Sequence, residues 1–283
     1  MFGHLFGVSL PLFSIERYNQ DWYSARSEGK MATRNINRVA ITGGDTYLGL
    51  QLASALLAEG AEVTLLLREG KEKSLGDLAS HVNWHNVDMW NSASLRGRAR
   101  GHGTVIHTIG SMSDAPKQNI TYESMNVIPA RNAANMCVSD GVPHFIYLSA
   151  ANAPWLSGKY IQSKRDVEAY LRKIGLKSSI IRAPIVYERD SSRSIFFNAM
   201  TFLGSIPPVS WLHLGRIAPT PLDMFVRGIA RIALNPPAQS RIYFAGDLRR
   251  LNTSDERRGR IPVLALPSVV PQEQDVLPFD SID

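Results

Sequence analysis

The chain has 283 residues, 44% apolar and 20% charged, a balance that excludes a disordered or collagen-like chain and allows a sizeable buried core. Thirty-one basic against 25 acidic residues leave a formal charge of +6, and one cysteine, Cys137, excludes an internal disulfide or a thiolate zinc site. No apolar run approaches the roughly 18 residues of a membrane-spanning helix.

Residues 1–36 differ in composition from the rest of the chain. Met1–Phe13 is apolar and aromatic, but Gly3, His4, Gly7 and Pro11 interrupt it and it lacks the basic start of a secretory signal. Arg17, Arg26, Lys30 and Arg34, set among serines, read as a mitochondrial targeting segment. Glu16, Asp21 and Glu28 run against that reading, and a flexible arm with Met31 as a second start is the alternative.

Regular punctuation begins near Arg38. Strand-like runs at Val39–Ile41, Ala61–Leu67, Val82–Val87, Thr104–Ile109, Phe145–Ser149 and Ser178–Ile181 alternate with helical patterns at Leu48–Leu57, Tyr122–Ser139 and Tyr160–Leu171. This alternation predicts a doubly wound α/β domain with a mostly parallel sheet over residues 37–250. Beyond Pro184 come an amphipathic stretch at Ile195–Leu203, Pro-rich turns and a helix at Leu222–Ala233. We read residues 188–250 as a small lid region, and the aperiodic residues 251–283 as a mostly disordered tail.

The first strand runs into Gly43-Gly44-Asp45-Thr46-Tyr47-Leu48-Gly49, with a helix opening at once. Gly43 permits a tight turn, Gly49 permits close helix–strand packing, and the N–H groups of the helix start can hold a pyrophosphate. Thr46 stands where a middle glycine is usual. Arg68 ends the second strand in place of an acid that would bind a ribose 2′-hydroxyl, which favours NADP(H), with NAD(H) the alternative. Asp88 and Met89 after the third strand are placed for the adenine, and Thr108 and Gly110 after the fourth would line the cofactor. Tyr160 and Lys164 lie four apart on a helix and share a face, so the ammonium is expected to lower the phenol pKa. Ser149, at the end of the fifth strand, is placed to polarise a substrate carbonyl.

These motifs occur in the order seen in the extended and atypical short-chain dehydrogenase/reductases. The resemblance rests on Thr42–Gly49, Asp88, the run ending at Asn126, Phe145–Ala151, Tyr160 and Lys164 with Glu168, and Ile181–Tyr187. It implies a Rossmann fold, cofactor contacts that include Lys164 and Pro184, and a catalytic set of Ser149, Tyr160 and Lys164. Leu148–Ala151 followed by Tyr160–Glu168 is similar to two mitochondrial branches, one of coenzyme Q biosynthesis and one of the accessory subunits of respiratory complex I. That likeness implies an NADP(H)-binding protein in or beside a multiprotein assembly, in the mitochondrial matrix or at the matrix face of the inner membrane. It leaves turnover open, and an active NADPH-dependent carbonyl reductase and a nucleotide-sensing regulator are the alternatives.

His81 and His85 fall in a strand or loop segment and share no helical face, so no metal site is expected. Arg96, Arg98 and Arg100 read as a solvated basic turn without a nucleic-acid motif beside them. Cys137 reads as a small buried apolar residue.

Overall fold

The computed structural model describes residues 35–116, 120–153, 155–183, 186–189 and 219–261. The targeting segment, Pro184, the Ile195–Leu203 stretch and residues 262–283 of the expected tail lie outside the described residues.

The strands are β1 (Asn35–Thr42), β2 (Glu62–Leu67), β3 (Asn83–Asn86), β4 (His102–His107), β5 (His144–Ala150), β6 (Ser178–Ala183), β7 (Val186–Tyr187), β8 (Thr220–Pro221) and β9 (Arg241–Tyr243). The helices are α1 (Tyr47–Ala58), α2 (Ser92–Leu95), α3 (Ile128–Asp140), α4 (Gly158–Lys173), α5 (Leu222–Leu234), α6 (Ala245–Arg250) and α7 (Ser254–Arg257). Seven strands form one parallel sheet in the order β3-β2-β1-β4-β5-β6-β9, and β7 pairs with β8. The order reverses direction between β1 and β4. In doubly wound sheets the crevice beyond the strand ends at such a point is where ligands bind.

Burial explains the strand pattern. Val39, Ala40 and Ile41 of β1 and Leu65, Leu66 and Leu67 of β2 are fully covered because helices lie on both faces, so these strands read as continuous apolar runs. At the edge, β3 exposes Asn83, Trp84 and His85, as an edge strand with polar side chains does. One core layer joins Ile41, Leu52, Leu56 and Leu65 to Phe225, Val226 and Ile229, and the other joins Ala133, Cys137, Phe145, Tyr147, Val167 and Leu171. Cys137 is fully buried, as expected, and burial pushes its thiol well up.

Two expectations for the C-terminal part are corrected. The helix at Leu222–Leu234 is a covering layer of the sheet and not part of a lid. It packs on α1, β1 and β4, and Thr104 Oγ1 in β4 donates to Ala233 O (2.9 Å). The region also supplies the seventh strand, β9, whose three residues are too few to show a period. The chain from Leu251, expected as tail, is ordered through Ile261 and forms α7. Thr253 and Glu256 cap that helix reciprocally, satisfying donors that a helix start otherwise leaves open. Glu256 also takes a two-pronged ion pair from Arg231 of α5 (2.6 and 2.9 Å), which in turn reaches Glu59 beyond α1 (2.7 Å).

Candidate functional site

The turn between β1 and α1 is closed by its own backbone. Gly43 takes φ +72°, a region that favours glycine, and a Cβ there would sit 2.7 Å from Thr108 Oγ1 and from Ile109. A Cβ at Gly49 would meet Gly43 O at 2.3 Å, so α1 approaches the strand end as closely as expected. Gly43 N and Gly44 N both donate to Leu66 O (3.1 Å each), tying the turn to β2. Thr46, the departure from the glycine pattern, has a structural use. Its hydroxyl donates to Gly43 O (2.7 Å) and accepts from Gly49 N (3.1 Å), capping α1. Helix geometry gives Tyr47 N and Leu48 N no acceptor within the helix. Those two donors at the positive end of the helix dipole suit a pyrophosphate. The Tyr47 phenol donates to Glu188, just past β7, and burial with that carboxylate keeps its pKa raised.

Thr108 donates its hydroxyl to Thr42 O (2.6 Å), bracing the turn. Asp88 is exposed beyond β3 and accepts from Trp90 N (2.9 Å), which leaves it at the sheet edge where an adenine would lie. Met89 is placed differently from expectation. Its side chain is core and its carbonyl accepts from Asn132 (2.9 Å), so any role toward a cofactor is indirect. Arg68 stands at the end of β2 as expected, but its Nε donates to Asp45 Oδ2 at 2.6 Å. No spacing rule points to Asp45, whose partner lies 23 residues onward.

Lys164 comes from α4 into the same crevice. A Cβ on Gly110 would touch Lys164 Nζ and Asn126 Oδ1 at 2.7 Å each, so this glycine makes room for both. The Asn126 amide is spent on the backbone of Ser111, donating to its O (2.9 Å) and accepting from its N (3.0 Å), which fixes the loop after β4. Lys164 Nζ donates to Leu148 O (3.2 Å) and lies 5.7 Å from the centre of the Tyr160 ring. Burial lowers the Lys164 ammonium to about 8. The Tyr160 phenol moves opposite to expectation: burial first, then neighbouring Tyr122, pushes its pKa well up. Desolvation disfavours the phenolate, the charged form of this group.

Ser149 differs most from its expected role. Its hydroxyl donates to Glu168 Oε1 (2.6 Å) and accepts from Arg165 Nη1 (3.0 Å), so its proton is already committed. Glu168 is 1% exposed and also takes two contacts from Arg182, while Arg165 reaches Ala150 O (2.8 Å). Burial pushes the Glu168 carboxyl up, but bonds from Arg182 and Ser149 and the charge of Arg165 outweigh it and hold it below the ordinary range. A buried carboxylate so surrounded is a joint between α4, β5 and β6. In this arrangement the Ser149 proton expected to serve an oxyanion is given to Glu168. The residues after Ser149, Ala150 and Ala151, carry no hydroxyl to replace it.

A doubly wound parallel sheet with a closed glycine turn at its switch point defines a nicotinamide-dinucleotide-binding α/β protein. Residues 43–205 match the sequence model of the NAD(P)H-binding family, and the chain belongs to that family. It is 29% identical over 141 residues to short-chain dehydrogenase/reductase family 42E member 1 of Danio rerio, covering 49% of this chain and 35% of that protein. It is 30% identical over 166 residues to the ceramide reductase of Caulobacter vibrioides, covering 56% and 49%. The chain thus spans half or less of the length of these curated relatives. Among solved structures it superposes on the dTDP-glucose 4,6-dehydratase DesIV of Streptomyces venezuelae, solved with NAD and TYD, with a TM-score of 0.53 and 19% identity over 74% of this chain and 75% of that one. At that identity the likeness shows the fold alone.

Proposed function

We propose that the protein holds a nicotinamide dinucleotide along the carboxyl edge of β1, β2 and β4, as an oxidoreductase-family protein whose main task is binding and not turnover. The observation that carries this is the pairing of a closed turn, Gly43 and Gly49 at its close approaches, with a Ser149 hydroxyl bound into the Glu168 cluster. Tyr47 N and Leu48 N would take the pyrophosphate, and Lys164, beside Gly110, the nicotinamide ribose. When bound, the dinucleotide supplies two-electron redox chemistry. A ligand at 100 times its dissociation constant adds about 2.7 kcal/mol of stability, reason enough to retain such a site without catalysis. We assign this role to mitochondria, beside quinone or respiratory-chain machinery, a reading supported by the composition of residues 1–36 and the likeness of the Leu148–Ala151 and Tyr160–Glu168 motifs.

A second reading is favoured by Tyr160. A phenol kept protonated by burial and set beside Lys164 is suited to donate a proton to a carbonyl oxygen, and one relative is by name a reductase. Titration calorimetry with NADH and NADPH, beside turnover assays with quinone and apolar carbonyl acceptors, tests both. We expect wild type and Tyr160→Phe to bind dinucleotide alike and neither to turn over. Wild-type turnover that Tyr160→Phe abolishes would establish the reductase instead, and absence of binding would end both readings.

A further inference from the structure

The carboxyl end of β2 carries an ion pair where the sequence suggests a lone cation. Asp45 comes from the turn with its side chain 0% exposed, and Arg68 closes the strand with its side chain 46% exposed. Asp45 Oδ2 accepts from Arg68 Nε at 2.6 Å, and Oδ1 lies 3.4 Å from Arg68 N. The carboxylate cannot easily leave, because the residues on either side of it are fixed: Gly44 N is bonded to Leu66 O (3.1 Å) and Thr46 N to Gly43 O (3.0 Å). One carboxylate therefore holds the strand end and the guanidinium together, at a place where the acid that usually reads an adenosine ribose is absent from the strand itself.

The chemistry of the two coenzymes differs at that ribose. A 2′-hydroxyl is a neutral donor and is served by a carboxylate, whereas a 2′-phosphate carries about two negative charges and needs an uncommitted cation. Arg68 paired with Asp45 contributes almost no net charge, and the fixed carboxylate repels a phosphate brought near it. We infer that Asp45 is the coenzyme-discriminating residue of this site: by holding Arg68 in a neutral pair it makes the protein accept NAD(H) at least as tightly as NADP(H). The 2′-phosphate gains Arg68 only at the expense of that pair. This rests on the proposed dinucleotide site, and the test separates the two.

Calorimetric titration of the full chain with NADH and NADPH is carried out on wild type, Asp45→Asn, Asp45→Ser and Asp45→Asn/Arg68→Gln, with melting curves as the check on folding. Wild type should bind NADPH no more tightly than NADH. Asp45→Asn should tighten NADPH by about tenfold or more while NADH changes by less than about threefold, the size of one charge-assisted hydrogen bond made to NADPH alone. The double variant should lose that gain, because Arg68 is what supplies it. Asp45→Ser, smaller in a buried turn, repeats the measurement if the asparagine melts early. An NADPH-to-NADH ratio unchanged in both Asp45 variants, or a clear wild-type preference for NADPH, overturns the inference while leaving the dinucleotide site standing. A wild type that binds neither coenzyme overturns the proposed site, and the inference with it.

Discussion

At Gly49 the obstacle to a side chain is backbone. The 2.3 Å approach to Gly43 O and the 2.9 Å approach to Gly44 Cα involve atoms pinned by bonds to β2, so neither yields as the end of a flexible side chain would. Gly49→Ala should therefore lift α1 off the strand end, costing about 2 kcal/mol or more in urea unfolding and abolishing dinucleotide binding in calorimetry. Gly158→Ala is the matched control. Among the described residues nothing lies within 4 Å of a Cβ there, and the residue opens a helix with no positive φ, so stability should stay within about 0.5 kcal/mol. If both variants behave alike, close packing at the turn is not what Gly49 provides. The purpose of this glycine is legible from its position in the motif. That of Ser149 is not, because a hydroxyl at a strand end reads the same whether it faces the crevice or a carboxylate beneath it.

Among the elements, α1 shows how a departure from a motif is absorbed. Its first turn carries no acidic residue, so the Thr46 hydroxyl is the local device that answers the open donors, bridging Gly43 O and Gly49 N across the turn. Thr46→Ala should cost about 1 kcal/mol, seen as a melting point lower by about 2–4 °C for a domain of this size. Thr46→Ser should match wild type. A Thr46→Ala protein as stable as wild type would show that the cap carries no weight. β1, β2, β4, β5 and β6 are readable because burial on both faces writes them largely as apolar runs, and α1, α3 and α4 because ten or more residues give a full helical period. β9 and α7 are not, since three and four residues leave no period. They are held by contacts distant in sequence, such as Arg231 to Glu256. For the same reason α5 is legible as a helix while its place in the sandwich is not. Amphipathicity shows that a face is buried and leaves open against what.

At the scale of the whole molecule, pairings between strands decide properties that no local motif announces. His107 lies inside the layer between the sheet and α4, its Nδ1 2.7 Å from Thr42 Oγ1 and its ring stacked against Phe145 and Tyr147 of β5. His144 bridges β4 and β6, with Nδ1 3.0 Å from Thr104 Oγ1 and Nε2 2.9 Å from Ser179 Oγ. Thr104 gives its own proton to Ala233 O, so Nδ1 of the neutral ring must donate and Nε2 must accept from Ser179. A second proton on that ring would reverse the bond to Ser179, whose hydroxyl would then have to accept and turn its own proton elsewhere. Burial first, then Lys164 for His107 and Lys177 for His144, lowers both to about 3, against an ordinary 6.5. Between those values the unfolded chain binds the extra protons and the folded chain does not, so stability falls as pH drops through the window. Each histidine should remove about 2 kcal/mol by pH 5, a large part of a typical domain's total. The carboxylates held low, Glu168 and Glu256, act in the same direction, but only once pH falls toward 4.5 and below. The urea midpoint should therefore drop clearly between pH 7.5 and 5.0. His144→Gln, whose amide can still donate and accept, should clearly reduce that drop. Equal midpoints at the two pH values would mean that the histidines charge without opening the sheet, and that their burial between strands is not what keeps them neutral.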